Sequence, residues 1–316
     1  MPEKDFKTYD EQLNILVSRG IDISDSESKS FAKKVLQREG YYNLINGYNK
    51  LFLLSSDTYK PGTTVQEIHA LYTFDKKLRE IFLQNILHFE TNIKSLMAYY
   101  FPQAHPESNY LVYSNFNTSK KNAHQFIPEL IAEVQRQIAS RASDPSISHY
   151  LQKYGYVPLW VLNNILTFGT ISKFYSLMLQ KERQSISKTF HINDNELESI
   201  LFYVSSVRNF CAHGNRLYCY RSKRPLGDMT LHDTLQIPKS ADNEYLYGKR
   251  DLFAVLIALK ATLSKTEFRR MVKDIDIAIR NTCRNFKVLT ETELLNAMGF
   301  PTNWKEKLLT NITKAV

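Results

Sequence analysis

The chain has 316 residues, of which 43% are hydrophobic, 23% charged and 12% aromatic. That profile fits a globular protein with one large core or two modest ones, and it excludes a disordered or low-complexity chain. Against 32 Asp and Glu stand 41 Lys and Arg, for a formal net charge of +9, which favours a polyanionic partner, nucleic acid first.

Cys211, Cys219 and Cys283 form no CxxC pair, so neither a disulfide framework nor a zinc site is indicated, and no metal or other cofactor is expected. The N-terminus is polar without an apolar signal core, and no run approaches ~20 apolar residues. The expectation is a cytoplasmic protein without membrane contact.

From Thr8, the spacing of Leu13, Leu16 and Val17 predicts a short helix closed by Gly20. Ser24-Asp25 caps a second helix ending at Gly40. Next comes the tyrosine-rich stretch Tyr41-Tyr42-Asn43-Leu44-Ile45-Asn46-Gly47-Tyr48, for which packing is favoured over base stacking. Pro61-Gly62 marks a loop, and Thr64-Val65-Gln66-Glu67 reads as a capping box opening the longest helix, ~35 residues and ended by Pro102. Leu71, Phe74, Leu78, Ile81, Phe82, Phe89, Ile93, Leu96, Met97 and Tyr100 form its buried stripe. Its other face carries Asn85, His88, Asn92 and the i,i+4 pair Glu90 and Lys94, which in its plainest reading is a solvated ion pair.

A loop is expected over 103–117, a basic amphipathic helix over 120–141 and a polar connection over 142–148, followed by short helices that include Pro158-Leu159-Trp160 and a segment begun near Gly169. Leu197, Ile200, Leu201, Val204, Val207 and Cys211 recur at helical spacing behind the N-cap run Asn193-Asp194-Asn195-Glu196, so a helix should span 194–212 with Gly214 as its C′ residue. The region 219–249 reads as a long basic loop whose Arg221, Lys223 and Arg224 are candidate phosphate contacts. Helices over 251–264, 265–286 and 301–312 close the chain. With no repeat and no convincing run of alternating strands, the fold class is all-α, divided into an N-terminal helical region over 1–60 and a larger helical domain over 61–316.

Chemistry concentrates where the 194–212 helix meets Arg208-Asn209-Phe210-Cys211-Ala212-His213. Asn209 and His213 share a helix face, so the amide can orient the ring. Arg208 and His213 differ by about 140° and converge less easily. Convergence needs the long arginine side chain, a distorted helix or a second copy of it. A His and an Arg without a carboxylate cluster suit phosphodiester cleavage, in which His moves a proton and the guanidinium neutralises phosphate charge. The plain alternative is an Arg that caps a carboxylate and a His that ends a helix.

Several separated motifs carry a resemblance. They are Gln12-Leu13 through Arg19-Gly20-Ile21, Gly40 to Tyr48, Phe74-Asp75-Lys76-Lys77-Leu78-Arg79 with Glu90, Pro158-Leu159-Trp160, Phe168-Gly169-Thr170-Ile171-Ser172, Arg208-Asn209-x-Cys211-Ala212-His213 and Arg216-Leu217-Tyr218. In this order they resemble the abortive-infection AbiD/AbiF-type, or Abi-like, proteins of bacteria, within the broad HEPN superfamily. The resemblance implies a HEPN-type multi-helix bundle pairing the long helix near Glu90 with the motif helix, and a metal-independent ribonuclease. Catalysis would fall to Arg208, Asn209 and His213, with Glu90, Lys94, Arg216 and Tyr218 in support. It implies attack of a ribose 2′-OH on the adjacent phosphate, chemistry that cannot cut DNA. A homodimer with the motif at its interface is also implied. Gly214-Asn215 departs from the bulkier residues of many relatives and is expected to loosen the turn after His213. The competing expectation is a non-catalytic RNA-binding protein that holds a structured small RNA; a weaker one is a purely protein-binding module.

Overall fold

The structure, a computed structural model, describes residues 5–310. The first four residues of the polar N-terminus and the end of the helix expected over 301–312 lie outside the described residues. The fold is all-α apart from one small hairpin.

The first two helices, α1 (Tyr9–Ser18) and α2 (Ser26–Glu39), form the expected hairpin. Thr8 and Glu11 make a reciprocal capping box on α1, and the Asp25 carboxylate accepts the Ser28 N–H at 2.7 Å to start α2. Gly40 stops α2 at φ 79°, a left-handed value that glycine adopts without a Cβ penalty. A single π-helical turn over Tyr42–Asn46 and a 3-10 turn over Lys50–Phe52 lead into β1 (Leu53–Ser55) and β2 (Thr58–Tyr59), an antiparallel pair that the sequence pattern did not reveal because each strand is only two or three residues long.

The axis of the molecule is α3 (Val65–Ala104), 40 residues and therefore about 60 Å long. It runs past Pro102, the residue expected to end it. Proline there removes one bond in the last turn, while Phe101 is fully buried against Phe174 and Phe116 and holds the turn in place. The capping box expected at its start is half formed. Thr64 accepts the Glu67 N–H, but the Glu67 carboxylate turns away to accept the backbone N–H groups of Lys287 and Val288 at 2.6 and 2.8 Å.

Around α3 stand α4 (Ala123–Ser140), α5 (Pro145–Tyr154), α6 (Leu159–Leu162), α7 (Phe168–Leu177), α8 (Gln180–Lys188) and α9 (Asp194–Ala212). They are followed by α10 (Thr230–Thr234), α11 (Leu252–Thr262), α12 (Lys265–Cys283), α13 (Glu291–Met298) and α14 (Trp304–Thr310). Helix α3 packs on α2, α6, α7, α8, α9, α11 and α12. Helix α11 is apolar all round and buried from Leu252 to Leu259, as a helix without a polar face must be.

Four expectations need correction. Helix α4 is not basic: it carries Glu129 and Glu133 against Arg136, and the neighbouring Lys120 is paired with Glu198 at 2.7 Å. The polar connection expected over 142–148 already contains the start of α5, opened by Asp144 and Pro145. Helix α13, two turns closed by Gly299, was not anticipated although Thr290 and Glu293 form a capping box. The basic region 219–249 is packed: it contains α10 and buries Leu226, Met229, His232, Leu235, Ile237 and Tyr245.

The Glu67 carboxylate joins the start of α3 to the turn between α12 and α13, and its partners are main-chain donors that have no other acceptor among the described residues. Glu67→Ala should therefore cost about 2–3 kcal/mol, read as a lower urea midpoint with an unchanged slope. Wild-type stability in the variant would mean that water satisfies those donors equally well.

Candidate active site

The motif helix α9 has the bounds that its pattern predicts, from the Asn193–Glu196 capping box to Ala212. Leu197, Ile200, Leu201, Val204, Val207 and Cys211 face the core. Its end is a full Schellman turn: Gly214 N–H donates to Cys211 O at 3.1 Å and Asn215 N–H to Phe210 O at 3.2 Å, with Gly214 at φ 69°. The departure at Gly214-Asn215 thus closes the helix rather than loosening the turn. His213 and Asn209 are both exposed, and neither side chain has a hydrogen-bond partner among the described residues. The amide-to-imidazole contact expected from their shared face is not formed.

Arg208 lies on the side of α9 that meets α3. Its Nε donates to Glu90 Oε2 at 3.4 Å, and its side chain remains 34% exposed while that of Glu90 is 8% exposed. The Glu90 carboxylate also holds Lys94 Nζ at 2.8 Å. The two sequence readings of Glu90, a pair with Lys94 and a partner for the motif helix, describe two oxygens of one buried group. It is not on a solvated face. Arg208 has no partner at Nη1 or Nη2 among the described residues, so the planar end of its fork is free to receive an anion.

Lys94 is bracketed by the segment between α6 and α7. Its ammonium donates to Leu166 O at 3.0 Å, and the Asn163 amide, buried at 4% exposure, donates to the Lys94 carbonyl at 2.6 Å. This gives the Pro158-Leu159-Trp160 and Phe168-Gly169-Thr170 stretches a role, since they set the helices that flank the bracket. Asn163 was not singled out by sequence, because a lone Asn in a helical connection carries no spacing signal.

A second buried carboxylate fixes the segment after His213. Asp75 in α3 is fully buried and accepts the Tyr48 hydroxyl at 2.7 Å, the Tyr218 N–H at 2.7 Å and the Arg79 guanidinium. Burial pushes its carboxyl up, and the Arg79 charge followed by the donated hydrogen bonds pulls it back. Arg79 also donates to Asn215 O at 3.1 Å, and Arg216 donates to Gly47 O at 2.8 Å. The Tyr48 and Tyr218 rings stack at 5.7 Å. Three stretches read as separate motifs, Gly40 to Tyr48, Asp75 to Arg79 and Arg216 to Tyr218, are therefore one interlocked cluster. Tyr218 is 1% exposed, so it supports this cluster and does not reach solvent, while Arg216 is exposed.

The loop cations are largely engaged. Arg221 donates to Tyr220 O at 2.8 Å and to Ala297 O at 3.1 Å at the end of α13, and Arg224 sits 4.1 Å over the Phe202 ring of α9. Lys223 is exposed. The loop itself is clipped to α9 by Thr230 N–H on Glu196 Oε1 at 2.8 Å and Gly227 N–H on Ser199 Oγ at 2.7 Å. Cys211 is an unsuitable nucleophile, since burial pushes its thiol up to about 12. Among the described residues no three His, Cys, Asp or Glu side chains are grouped as a bound metal would require, and no helix is long and apolar enough to cross a membrane.

A family model described as Abi-like protein matches residues 34–219, more than half of the chain. The chain belongs to the Abi-like family. The matched span takes in the Abi-like chain's π-helical turn, all of α3 and the whole of α9, and stops at Cys219, before Arg221, Lys223 and Arg224. No curated protein and no solved structure matches the chain.

Replacing Asp75 by Asn keeps the shape but leaves Arg79 without its counter-charge and one acceptor short. The Abi-like fold should lose about 3–4 kcal/mol, seen as a clear drop in thermal and urea midpoints. A variant as stable as the wild type would remove Asp75 as the anchor.

Proposed function

We propose that this chain is a metal-independent endoribonuclease of bacterial phage defence, with the HEPN-type arrangement of a long helix packed on a motif helix. Membership of the Abi-like family supports the defence role. The observation that carries the enzymatic reading is Arg208: its Nε is tied to the buried Glu90 while the two terminal nitrogens remain unpartnered among the described residues. A guanidinium held in this way is oriented before substrate arrives, so little reorganisation is needed when phosphate charge develops.

In the reaction, a ribose 2′-oxygen loses its proton, attacks the adjacent phosphorus and expels the 5′-oxygen of the next nucleotide. One P–O bond forms and one breaks, leaving a 2′,3′-cyclic phosphate and a 5′-hydroxyl. His213 moves the proton, either from the nucleophile or to the leaving oxygen. Arg208 bears the negative charge on the non-bridging oxygens, Lys94 and Glu90 hold Arg208 in register, and Asn209 orients the ring or the substrate. Asn209 and His213 both stand exposed on α9 without partners among the described residues, whereas Arg208 points to α3. A second copy of α9 would supply the missing convergence, so the active form is a homodimer with a composite site. A small RNA that keeps the enzyme silent would occupy the same free guanidinium.

The test is cleavage of RNA in EDTA by the purified chain. Activity should survive chelation and fall at least a thousandfold in His213→Ala, the upper range for loss of a general acid or base. Glu90→Gln should fold and lose tenfold or more, about 1.4 kcal/mol of transition-state stabilisation. Undiminished cleavage by His213→Ala would overturn the assignment.

A further inference from the structure

The π-helical turn Tyr42–Asn46 sits beside the segment that follows His213. Arg216 Nη1 donates to Gly47 O, and a Cβ added at Gly47 would stand 3.9 Å from both Arg216 Cδ and the Tyr42 carbonyl. Through that contact the turn is joined to the end of α9, three residues past His213. Two of its tyrosine neighbours are packed: Tyr48 is buried on Asp75 and Tyr41 is half-buried. Tyr42 differs. It is 77% exposed, the second most exposed of the large hydrophobic side chains, and no ring contact or hydrogen bond from its side chain is formed among the described residues. A wider i→i+5 turn inserted in a helix often marks a functional position, because it rotates one side chain out of the packed face.

The surroundings of Tyr42 are polar and cationic. Asn43, Asn46 and Lys50 are exposed on the same turn and the one after it. Lys50 opens the 3-10 turn three residues after Gly47, and its side chain has no hydrogen bond or ion pair among the described residues. Arg216 uses one terminal nitrogen on Gly47 O, and its other nitrogens have no partner among the described residues. Of the carboxylates in this region, Asp75 is fully buried and already accepts three donors. An exposed ring near an arginine that keeps unpartnered guanidinium nitrogens, with an exposed lysine on the next turn of the chain, is the composition of a single-stranded nucleic-acid platform, in which the ring stacks on a base and the cations take the flanking phosphates.

We propose that Tyr42, Lys50 and Arg216 form a subsite for a nucleotide of single-stranded RNA flanking the bond that is cut, with Tyr42 stacked on the base. The proposal rests on the ribonuclease reading for its location next to His213, but binding can be measured without cleavage. The subsite is sequence-tolerant, since stacking does not read base edges, and it demands an unpaired base, since a paired one cannot reach the ring.

The experiment uses the full chain carrying His213→Ala and a fluorescein-labelled, unstructured RNA dodecamer, with affinity read by anisotropy across a salt series. Tyr42→Ala should weaken binding about tenfold, Tyr42→Trp should retain it, and neither should move the thermal midpoint. Lys50→Glu should weaken binding and flatten the salt dependence by about one counterion. A duplex of the same length should bind equally to Tyr42→Ala and its parent. Equal dodecamer affinity of Tyr42→Ala and the parent, or no dodecamer binding by the parent, would overturn the subsite. If RNA is bound through Tyr42 and Lys50 but the His213-containing chain cuts nothing, the subsite stands and the nuclease reading fails; if the chain cuts RNA with an unchanged KM in Tyr42→Ala, the reverse holds.

Discussion

Two carboxylates on one helix, Asp75 and Glu90, are removed from water by the packing of α3 and then matched by groups that arrive from distant parts of the chain. Burying a carboxylate is costly unless each oxygen gains a strong donor, and leaving one donor out costs more than the pair contributes. Asp75 can be tolerated only when the turn around Tyr48, the α3 residue Arg79 and the backbone of Tyr218 are all in place. That requirement fixes where the chain goes after His213. Glu90 imposes the same discipline on Arg208 and Lys94.

The site is therefore a consequence of the core rather than an addition to its surface. Arg208 is steered through Nε, which leaves the anion-binding edge of its guanidinium outward, and His213 is held between the Schellman turn of α9 and the Asp75 cluster one turn further on. Neither catalytic candidate relies on the loop 219–249 for its position. That loop closes on itself and on α9, with Arg221 and Arg224 engaged by the protein, so the guanidinium nitrogens left unpartnered at the end of α9 are those of Arg208 and Arg216.

Much of this was legible in the sequence where the physics is local. The bounds of α9 follow from Asn193, the apolar period and Gly214, and those of α1 and α2 from Thr8, Asp25 and Gly40, because caps and periodicity act over a few residues. Contacts between distant residues were not legible. Glu67 has the spacing of a capping-box residue, yet its carboxylate is claimed by backbone donors 220 residues away, at Lys287 and Val288. Glu90 and Lys94 look like a surface i,i+4 pair, and only the approach of α9 shows that they are buried. Asp75 and Arg79 have the same ambiguous spacing, which places them in a motif but assigns them no role. For Tyr42 and Tyr48 the sequence offered one answer for both, whereas Tyr42 stands exposed on the π-helical turn and Tyr48, just past it, is buried on Asp75 and the Tyr218 ring.

The proposed nucleophile at the site organised by Arg208 and His213 is a ribose 2′-hydroxyl. Its most direct test is an RNA in which the nucleotide preceding the cut carries hydrogen in place of the 2′-hydroxyl, with all other nucleotides unchanged. Cleavage at that bond should stop while binding is retained, and the unmodified RNA should yield a 2′,3′-cyclic phosphate by mass spectrometry. Continued cleavage at the 2′-deoxy position, or a product ending in a free 3′-hydroxyl, would contradict it.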